Sequence, residues 1–586
     1  MKQMPKTDVA IVGYGWTGSM AARELLDAGL EVVVLERGPA HSQSGDFSKK
    51  RMHDGLTYAI RNKLAHDLED DTLTFRNASS QTALPMRRIG SFNPGTGFGG
   101  SSTTWSGHSF RPTAADLRHR SHYQERYGRG FVPSDMTIQD WGVSYEELEP
   151  HFAKFERVAA VSGQAGNIQG RRVEGGNPFE SARSGDYPLP AFERHASGLK
   201  FIETTRGMGL NPYPVPVANA SQDYVNEYGV EMPACKVCGH CPSFACIYGS
   251  KGAAVASIQP TLEGRAGFEA RPYCQVVKVN KAPDGRTVTG VTYRDASGSE
   301  VFQPADIVIL SAYTFDNARI LMLSDIGEIY DPRTGRGTLG RNYSYQILGH
   351  VDAFFEDEYF SPQIAGGAMG TVVDDFGGDH FDHADIGFVG GGLIGPFNLS
   401  AFPITYHPTP EGSPAWGRGW KEAVQKHYQT TLGLNIHASV QSNRGNYLDL
   451  DPTYTDTYGQ PLLRMTFDFH DNERRMLDYL YKQANAIGRA AGAKSLKGGA
   501  DGAFPYDITK YQTTHNVGGT AMGTDPGTSV VNRNLQHWDA HNLWVLGGSV
   551  FPQNTHYNPT VTIAGVAYWA LERLVNDYLP QPRALG

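Results

Sequence analysis

The chain has 586 residues, of which 40% are hydrophobic and 19% are charged, so it can bury a large core and bulk disorder is not expected. This length is more than one compact core usually holds, which predicts two closely joined domains. The net charge of -9, with no block rich in lysine and arginine, gives no support to a nucleic-acid partner.

The first predicted elements are a strand, a glycine turn, a helix and a second strand. Residues 8–12 are β-branched and apolar, as in a buried parallel strand, and residues 13–18 read Gly-Tyr-Gly-Trp-Thr-Gly. Residues 19–28 have the pattern of a helix, and residues 31–35 form the next strand, which ends before Glu36. This order is typical of the first βαβ unit of a dinucleotide-binding domain.

Each residue of this motif has a physical function. Gly13 permits the tight turn out of the strand, Gly15 lets the backbone approach a pyrophosphate, and Gly18 lets helix and strand pack closely. The helix N-terminus offers unpaired N–H groups to the phosphates. Glu36, eighteen positions after Gly18, can accept hydrogen bonds from a ribose hydroxyl and disfavours the 2′-phosphate of NADP. The motif by itself does not distinguish FAD from NAD.

The middle of the chain adds a glycine-rich segment and a hairpin. Residues 88–107 combine many glycines with hydroxyl side chains, which suits a loop against a flat ligand, although a flexible surface loop has the same composition. Residues 136–160 indicate a turn and an acidic amphipathic helix at the surface. Residues 264–311 predict strands and a hairpin around the Asp-Gly pair at 284–285, and a helix follows over 314–323.

The last third of the chain predicts a second sheet and a return to the first. Residues 345–470, rich in Gly, Phe, Tyr and His with alternating apolar stretches, indicate an antiparallel sheet domain with long loops. Residues 471–491 form a helix, residues 543–549 a strand that ends in a glycine turn, and residues 561–576 a final helix. These last elements suggest that the chain returns to complete the dinucleotide-binding domain.

Four of the five cysteines fall within twelve positions, as Cys235, Cys238, Cys241 and Cys246. Thiolates are soft ligands, and four of them in one short segment favour an iron–sulfur cluster over zinc, disulfides or free thiols. The segment is not a haem-attachment motif, so any haem must lie on a partner. Cys274 falls in a predicted strand and is expected to be a buried core residue.

Segments along nearly the whole chain resemble the glucose–methanol–choline (GMC) oxidoreductases, a family of FAD enzymes that oxidise alcohols. They are the N-terminal motif and the stretches 97–102, 309–312, 317–321, 324–327, 339–342, 548–552 and 558–563. The resemblance implies an α/β fold, in which a Rossmann-like FAD-binding domain carries a discontinuous α+β substrate domain built on an antiparallel sheet. The FAD-binding domain, with the cysteine segment 235–246, is expected over residues 1–40, 86–125, 230–344 and 505–586, and the substrate-binding domain over 126–229 and 345–504.

Within the family, the stretches 75–77, 81–85 and 136–143 and the cysteine segment are similar to the flavoprotein subunits of membrane-bound gluconate 2-dehydrogenases and related sugar or polyol dehydrogenases. This likeness implies an iron–sulfur cluster, 3Fe–4S rather than 4Fe–4S, for which three of the four cysteines suffice. A one-electron cluster near the flavin implies a dehydrogenase that passes electrons onward. The alternatives are an oxidase that uses O₂, with a structural cysteine cluster, and a non-catalytic subunit that keeps the fold.

The resemblance also assigns the chemistry to residues near the C-terminus. Oxidation of an alcohol needs a base for the hydroxyl proton, and flavin N5 is the acceptor of hydride. His515 matches the family's active-site histidine and is expected to be this base. Asn558 is expected to bind the substrate oxygen, and His556 is the alternative for that role. Many members have an asparagine after the glycine loop that touches the flavin, whereas Trp105, Ser106 and Gly107 occupy that region in this chain.

Matching positions imply which residues contact FAD. They are Gly13, Gly15, Trp16, Thr17, Gly18, Glu36, Arg37, Gly97, Gly99, Gly100, Ser101, Thr103, Thr104, Trp105, Ser106, Val276, Val277, Ser311, Ala312, Asn317, Gly548, Ser549, Pro559, Thr560 and Val561.

The expected substrate is a sugar, sugar acid, polyol or glycoside that is oxidised at a secondary alcohol. The related enzymes work with a small subunit that carries an export signal and with a multihaem cytochrome c subunit that passes electrons to quinone. The chain contains no apolar run of ~20 residues and no signal-peptide core, so we expect membrane contact and a periplasmic location only through such partners. Without them the chain is expected in the cytoplasm.

Overall fold

The computed structural model describes residues 2–48, 72–87, 94–362, 367–397, 406–500, 503–510 and 512–586, so residues 88–93 of the glycine-rich segment lie outside it. Within these ranges the α-helices are Trp16–Asp27, Ala114–Leu117, His119–Tyr127, Tyr145–Val158, Ala196–Gly207, Ala254–Ser257, Tyr313–Leu323, Gly417–His427, Asp471–Ala490 and Thr560–Arg573. Short 3₁₀ turns cover Gly100–Thr103, Gln259–Thr261 and Gly548–Val550, and π-helical turns cover Gln43–Phe47 and Leu574–Tyr578.

The larger sheet joins both ends of the chain. In spatial order it runs Phe268–Arg271, Val32–Leu35, Thr7–Val12, Glu300–Leu310, Val288–Arg294 and Gln275–Lys281, and Lys2–Gln3 and Leu543–Val545 also pair with Glu300–Leu310. The strands on the Phe268–Arg271 side are parallel, and the last two form the hairpin predicted at 284–285. Val9 and Ile11 are fully buried, as expected for a parallel strand that is covered on both faces.

A second sheet is antiparallel throughout. In order it runs Pro212–Pro214, Thr371–Val373, Gly392–Gly395, Thr431–Ala438, Ile347–Phe354 and Ser495–Lys497. The helix Asp471–Ala490 packs against this sheet through a stripe of buried residues that includes Met476, Leu480 and Ile487. Their spacing of four and seven residues turns one apolar face of the helix toward the strands.

Smaller sheets connect distant segments. One of them runs Tyr447–Thr455, Pro461–Thr466, Leu73–Arg76 and Leu84–Pro85. Short ladders elsewhere in the described ranges pair Tyr224–Val225 with Glu231–Met232, Ser162–Gly163 with Leu189–Pro190, and Asn167–Ile168 with Arg171–Arg172.

The predicted fold class is confirmed: a Rossmann-like parallel sheet carries a discontinuous antiparallel-sheet unit. The helices predicted over 19–28, 314–323, 471–491 and 561–576 are present, and their ends differ from the prediction by up to three residues. The antiparallel sheet also takes edge strands from outside 345–470, which the sequence did not indicate. The exact domain boundaries stay a prediction.

The acidic helix predicted at the surface has the expected exposed face, with Glu146 and Arg157 on it, but it also buries a charged side chain. That helix, Tyr145–Val158, buries Phe152 and also Glu156, which is only 1% exposed. Arg111 and Arg183 donate hydrogen bonds to Glu156, the shortest of them at 2.7 and 2.6 Å. A carboxylate can be buried when its charge is paired in this way, and the count of acidic residues in a helix does not reveal such partners.

One continuous apolar core extends from the parallel sheet to the antiparallel sheet and its covering helix. Val9 and Leu310 lie in the part of this core formed by the parallel sheet. Ile436 and Leu480 lie in the part formed by the antiparallel sheet and its covering helix. In the ranges described, no helix is both long and apolar enough to span a lipid bilayer.

Candidate active site

A cavity of about 1040 Å³ extends from the parallel sheet to the antiparallel sheet. One end is lined by residues at the carboxyl ends of Thr7–Val12 and Val32–Leu35, and the other by Leu348, Asn435 and His437. The region outside the carboxyl ends of parallel strands is where open α/β sheets bind their ligands.

The N-terminal glycine turn closes tightly at this end of the cavity. Gly13 adopts φ +94°, and its N–H donates to the Leu35 carbonyl at 2.8 Å. No side chain caps the helix Trp16–Asp27, so its first amide groups are left for a ligand. A Cβ at Gly15 would meet nothing within 4 Å, whereas one at Gly18 would lie 2.0 Å from the Gly13 carbonyl oxygen.

The Glu36 carboxylate connects two turns of the cavity wall. Its Oε2 accepts from the Tyr14 N–H at 2.9 Å, and its Oε1 accepts from the Gly38 N–H at 2.8 Å. Glu36 lines the cavity, and each carboxylate oxygen has a second lone pair for a hydroxyl donor. The residue therefore stabilises the fold of the turn as well as offering the predicted ribose contact.

The cavity brings together most of the predicted cofactor-binding residues. Those that line it are Gly13, Gly15, Trp16, Thr17, Glu36, Arg37, Gly100, Ser101, Thr104, Trp105, Ser106, Val276, Val277, Ser311, Ala312, Gly548, Pro559 and Thr560. Those outside the lining are Gly18, Gly97, Gly99, Thr103, Asn317, Ser549 and Val561. Asn317 supports the wall, because its side chain accepts from the Ala312 N–H at 2.8 Å and donates to Ser549 Oγ at 2.9 Å. Contact with FAD stays a prediction for the whole set.

The two side chains predicted to act on the substrate meet in the cavity. Asn558 Nδ2 lies 3.4 Å from His515 Nε2, and both residues line the cavity. The other ring nitrogen of His515, Nδ1, forms a hydrogen bond with Gln346 Oε1. Burial lowers the pKa of His515 to about 3, so the imidazole is neutral near pH 7 and can accept a proton.

His556, the alternative partner, is directed to another group. Its Nε2 lies 2.9 Å from Asp374 Oδ1, and the Tyr557 hydroxyl donates to the same carboxylate. His556 is absent from the cavity lining, whereas Asn558 is part of it. The geometry therefore favours Asn558 as the residue beside the substrate oxygen, and its role stays a prediction.

Three further histidines line the cavity, namely His108, His350 and His437, and the sequence did not single them out. The ring centre of His437 is 5.4 Å from that of His515, and His108 also lines the cavity. Burial lowers the pKa of His108 to about 4 and the pKa of His437 well below its ordinary value, so both rings are neutral near pH 7. His437 Nδ1 and His108 Nε2 have no hydrogen-bond partner among the residues that the structure describes, which makes them candidates to bind substrate hydroxyls. The available signal was a histidine among apolar residues, as at His437 near the end of the buried strand Thr431–Ala438.

The cysteine segment contributes to the wall of the cavity. Pro242 and Ser243 line the cavity, and the Ser243 N–H donates to the Thr104 carbonyl at 2.7 Å. The side chains of the cysteine segment line a small pocket of their own, which includes Cys235, Cys238, Cys241 and Cys246. Within the described part of the chain, no group of three or more His, Cys, Asp or Glu side chains is arranged so that it could hold a metal ion.

Two of the four sulfurs accept hydrogen bonds from nitrogen. Asn219 Nδ2 lies 3.4 Å from Cys241 Sγ, and the Val237 N–H donates to Cys235 Sγ at 3.4 Å. Burial raises the pKa of Cys241 to about 12 and that of Cys235 to about 11, so both are thiols at neutral pH and a metal would have to displace their protons. Their role as metal ligands stays a prediction. Cys274 is buried, as predicted, and it also lines the large cavity.

Lys251 ties the cysteine segment to the cavity wall. It is only 1% exposed, and its ammonium group, which has three N–H donors, lies within hydrogen-bond distance of four backbone carbonyls. The oxygens of Thr103 and Trp105, at 3.1 and 2.8 Å, belong to the glycine-rich segment. Those of Cys241 and Phe244, both at 2.9 Å, belong to the cysteine segment. One buried cation therefore satisfies acceptors on both sides.

Lys251→Met is expected to loosen both segments. Methionine has a similar length but donates no hydrogen bond, and each buried carbonyl left without a partner costs about 1–3 kcal/mol. We expect a lower thermal unfolding midpoint and less FAD per protein, measured by scanning fluorimetry and absorbance. Lys236→Met, at an exposed lysine of the same segment, is the matched control and should change neither value. If Lys251→Met kept the unfolding midpoint and the FAD content of the parent protein, the four contacts would be dispensable.

Two family models match the chain. The model described as FAD dependent oxidoreductase matches residues 8–164, and the model described as GMC oxidoreductase matches residues 442–567. The first match contains the glycine turn and Glu36, and the second contains His515 and Asn558.

Known proteins are similar over the full length. The gluconate 2-dehydrogenase flavoprotein of Pantoea cypripedii is 45% identical over 588 residues, which cover 100% of this chain and 96% of that protein. The fructose dehydrogenase large subunit of Gluconobacter japonicus is 23% identical over 97% of this chain and 98% of that protein. The solved structure of pyridoxine 4-oxidase from Mesorbium loti has a TM-score of 0.58 at 17% identity, over 98% of this chain and 100% of that chain, which shows a shared fold.

Proposed function

Because the chain belongs to the GMC oxidoreductase family of FAD-dependent oxidoreductases, we propose that it is a dehydrogenase that oxidises a secondary alcohol of a sugar, sugar acid, polyol or glycoside to the ketone. The observation that carries this proposal is the pair of His515 and Asn558, which line one cavity together with the glycine turn. A gluconate-like sugar acid is the first substrate class to test, because the relative at 45% identity is named for gluconate.

The residues at the parallel-sheet end of the cavity suit FAD. Gly15 leaves space for a pyrophosphate, the helix behind it has an uncapped N-terminus, and Glu36 presents acceptors to a ribose. FAD, when bound, supplies the acceptor for the two electrons that leave the substrate carbon.

Two glycine-to-alanine substitutions are expected to separate folding from FAD binding. Gly18→Ala places a methyl group 2.0 Å from a backbone oxygen, so strand and helix cannot keep their packing and we expect little folded protein. Gly15→Ala meets no protein atom within 4 Å, but its methyl group fills the space proposed for the phosphates. We therefore expect a folded protein whose Kd for FAD is at least about tenfold higher.

Circular dichroism measures the folding of the two variants, and FAD titration followed by fluorescence measures their affinity for FAD. The parent protein is the reference for both. Gly15→Ala with the parent's FAD affinity would contradict the proposed path of the pyrophosphate, and well-folded Gly18→Ala would contradict the packing distance.

The residues of this chain can accept the proton that the substrate hydroxyl loses. An alcohol that becomes a ketone loses two electrons and two protons, and the hydroxyl proton needs a base. His515 Nε2 suits this task because the ring is neutral and buried in the cavity. Asn558 Nδ2 can donate a hydrogen bond to the substrate oxygen, whose negative charge grows as the proton leaves. The hydrogen on carbon leaves with the electron pair.

We also propose that the cysteine segment binds an iron–sulfur cluster, 3Fe–4S with three of the four cysteines as ligands. The four thiols lie in one small pocket, and N–H groups approach two of the sulfurs, as is common around such clusters. Because the described side chains form no ready metal site, the segment must close around the cluster as it assembles. The cluster, when bound, supplies one-electron transfer from this cavity wall to a second protein.

The electron acceptor is therefore proposed to be another chain. We propose a multihaem cytochrome c subunit as acceptor, and a small subunit whose export signal carries the complex to the periplasmic side of the membrane. In support, the names of two relatives describe one as a flavoprotein and the other as a large subunit.

The test is anaerobic reduction of the purified protein's flavin by gluconate, 2-ketogluconate, sorbitol, fructose and glucosides, together with assays of iron and sulfide. We expect at least one of these substrates to bleach the flavin absorbance, and the protein to contain iron and sulfide. No bleaching by any of them would overturn the proposed substrate class. Iron-free protein that produces peroxide rapidly would support an O₂-using oxidase with a structural cysteine cluster.

A further inference from the structure

Gln346 is fully buried, and three contacts determine the orientation of its amide. Nε2 donates to the carbonyl oxygens of Thr555 at 2.6 Å and Tyr557 at 2.8 Å. Oε1 contacts His515 Nδ1. If the amide were turned end for end, Oε1 would face two carbonyl oxygens and both hydrogen bonds would be lost. The network therefore assigns the oxygen to the His515 side.

This orientation determines where His515 carries its proton. An amide oxygen accepts hydrogen bonds and cannot donate one, so Nδ1 of His515 must be the N–H donor. In a neutral imidazole the other nitrogen, Nε2, then has the free lone pair. Nε2 is the atom beside Asn558 in the cavity.

We propose that Gln346 is the positioning residue that fixes the Nδ1–H tautomer of His515 and so keeps a proton-free Nε2 for the substrate hydroxyl. Gln346 is not part of the cavity lining, so it acts through His515 and not on the substrate. The kinetic consequences rest on the proposed function, whereas the tautomer is a property of the protein without substrate.

The other neighbours of His515 cannot take over this task. The His437 ring stands 5.4 Å away, centre to centre, and burial holds the pKa values of His437 and His108 low, so both are neutral. Thr513 Oγ1 accepts from the backbone N–H of His515 at 3.3 Å. In the part of the chain that the structure describes, no carboxylate forms an ion pair with His515. A neutral amide therefore orients the ring without placing a negative charge beside it.

The same amide also fixes the loop that carries Asn558. Thr555 and Tyr557, whose carbonyls bind Gln346, lie immediately before Asn558 in the chain. A displacement of this loop would break the contacts of Gln346 and the approach of Asn558 to His515 together. One side chain thus couples the tautomer of the base to the position of its partner.

Two variants of Gln346 distinguish its proposed effect on the His515 tautomer from its support of the loop that carries Asn558. Gln346→Met removes the acceptor and both donors. Gln346→Glu keeps an oxygen that can accept from Nδ1, but it loses at least one of the two donors to the loop. Gln553→Met is the matched control, because Gln553 is fully buried on the same loop and its Oε1 binds the Gln139 N–H at 3.0 Å.

The kinetic readout is the rate constant of anaerobic flavin reduction at saturating substrate and pH 7. We expect Gln346→Met to lower it roughly 10- to 100-fold with little change in substrate affinity, since part of the histidine then holds its proton on Nε2. Gln346→Glu should be several-fold faster than Gln346→Met, and Gln553→Met close to the parent. A Gln346→Glu variant no faster than Gln346→Met would overturn the proposal, because loop support alone predicts that result.

The second readout needs no substrate. In ¹⁵N-histidine-labelled protein, the His515 signals, assigned by their absence in His515→Asn, should show a protonated Nδ1 and an unprotonated Nε2. Gln346→Met should populate the opposite tautomer, and an unchanged tautomer would overturn the proposal. If the parent reduces its flavin with no substrate of the panel, the proposed function fails while this spectrum still decides the role of Gln346.

Discussion

We expect His515→Ala to lower the rate of flavin reduction by substrate about 10²- to 10⁴-fold, the usual contribution of a positioned general base. Without the imidazole, the hydroxyl proton has no acceptor at Nε2, while Asn558 and the FAD-binding turn are untouched. The pKa of about 3 keeps His515 in its base form throughout the neutral range, so the parent has no loss of activity between about pH 5 and 7 from this group. Anaerobic stopped-flow absorbance measures the rate.

The control for this substitution is His541→Ala. The His541 ring contacts the Tyr578 hydroxyl at 3.1 Å, and the residue does not line the cavity, so its loss should leave flavin reduction unchanged. FAD content must stay at the parent level in His515→Ala for the comparison to count. A His515→Ala protein that binds FAD and reduces it at the parent rate would remove the central residue of the proposed function.

Local sequence patterns predicted those parts of the site that lie within one short segment. The turn at Gly13, Gly15 and Gly18 and the strand before it depend on neighbours in the chain, so the motif was enough to place them. His515 and Asn558 were placed by resemblance, since nothing in the spacing of forty-three residues between them indicates a contact. The structure brings them within 3.4 Å, and the segments that follow His515 and precede Asn558 are joined by hydrogen bonds from the Gly518 and Thr520 N–H groups to the Gly548 and Ser549 carbonyls.

Contacts between distant segments could not be predicted in the same way. Gln346 lies 169 residues before His515, and its residue type is ordinary for a strand edge or a loop. Lys251 looks like a surface lysine in the sequence, because lysine is rarely buried and its four carbonyl acceptors are backbone groups of other segments. The burial of Glu156 could not be predicted for the same reason, since its arginine partners come from elsewhere in the chain. Such residues become visible only when the packing of the sheets is known.

The edge strand Pro212–Pro214 shows a different reason why a sequence pattern can miss a strand. It has three residues, two of them proline, and such a stretch has too little length for a period of two. Proline is nevertheless acceptable there, because an edge strand leaves one side of its backbone without ladder partners. The predicted substrate domain therefore had the correct kind of sheet but lacked a strand that only pairing with Thr371–Val373 defines.

We expect Cys241→Ser to leave flavin reduction by substrate near the parent rate while the iron content and the reduction of cytochrome c fall to background. Serine keeps the size of the side chain, but its hydroxyl is a poor ligand for iron in such clusters. Cys241 is the cysteine next to Pro242, which lines the large cavity, and its sulfur accepts from Asn219 Nδ2. Iron analysis, electron paramagnetic resonance and the two rate measurements test this expectation.

The rate of flavin reduction reports the step at the substrate, and the rate of cytochrome c reduction also reports the proposed electron transfer through the cysteine segment. The base His515 acts on the substrate side, so its loss should slow both rates, whereas loss of Cys241 should slow only the second. Val237→Ala, an exposed change in the same segment, should slow neither. If Cys241→Ser retains iron and reduces cytochrome c normally, Cys241 is either the cysteine that the cluster spares or no ligand at all. The same substitution at Cys235, Cys238 and Cys246 then decides, since retention of activity by all four variants would exclude a relay through this segment.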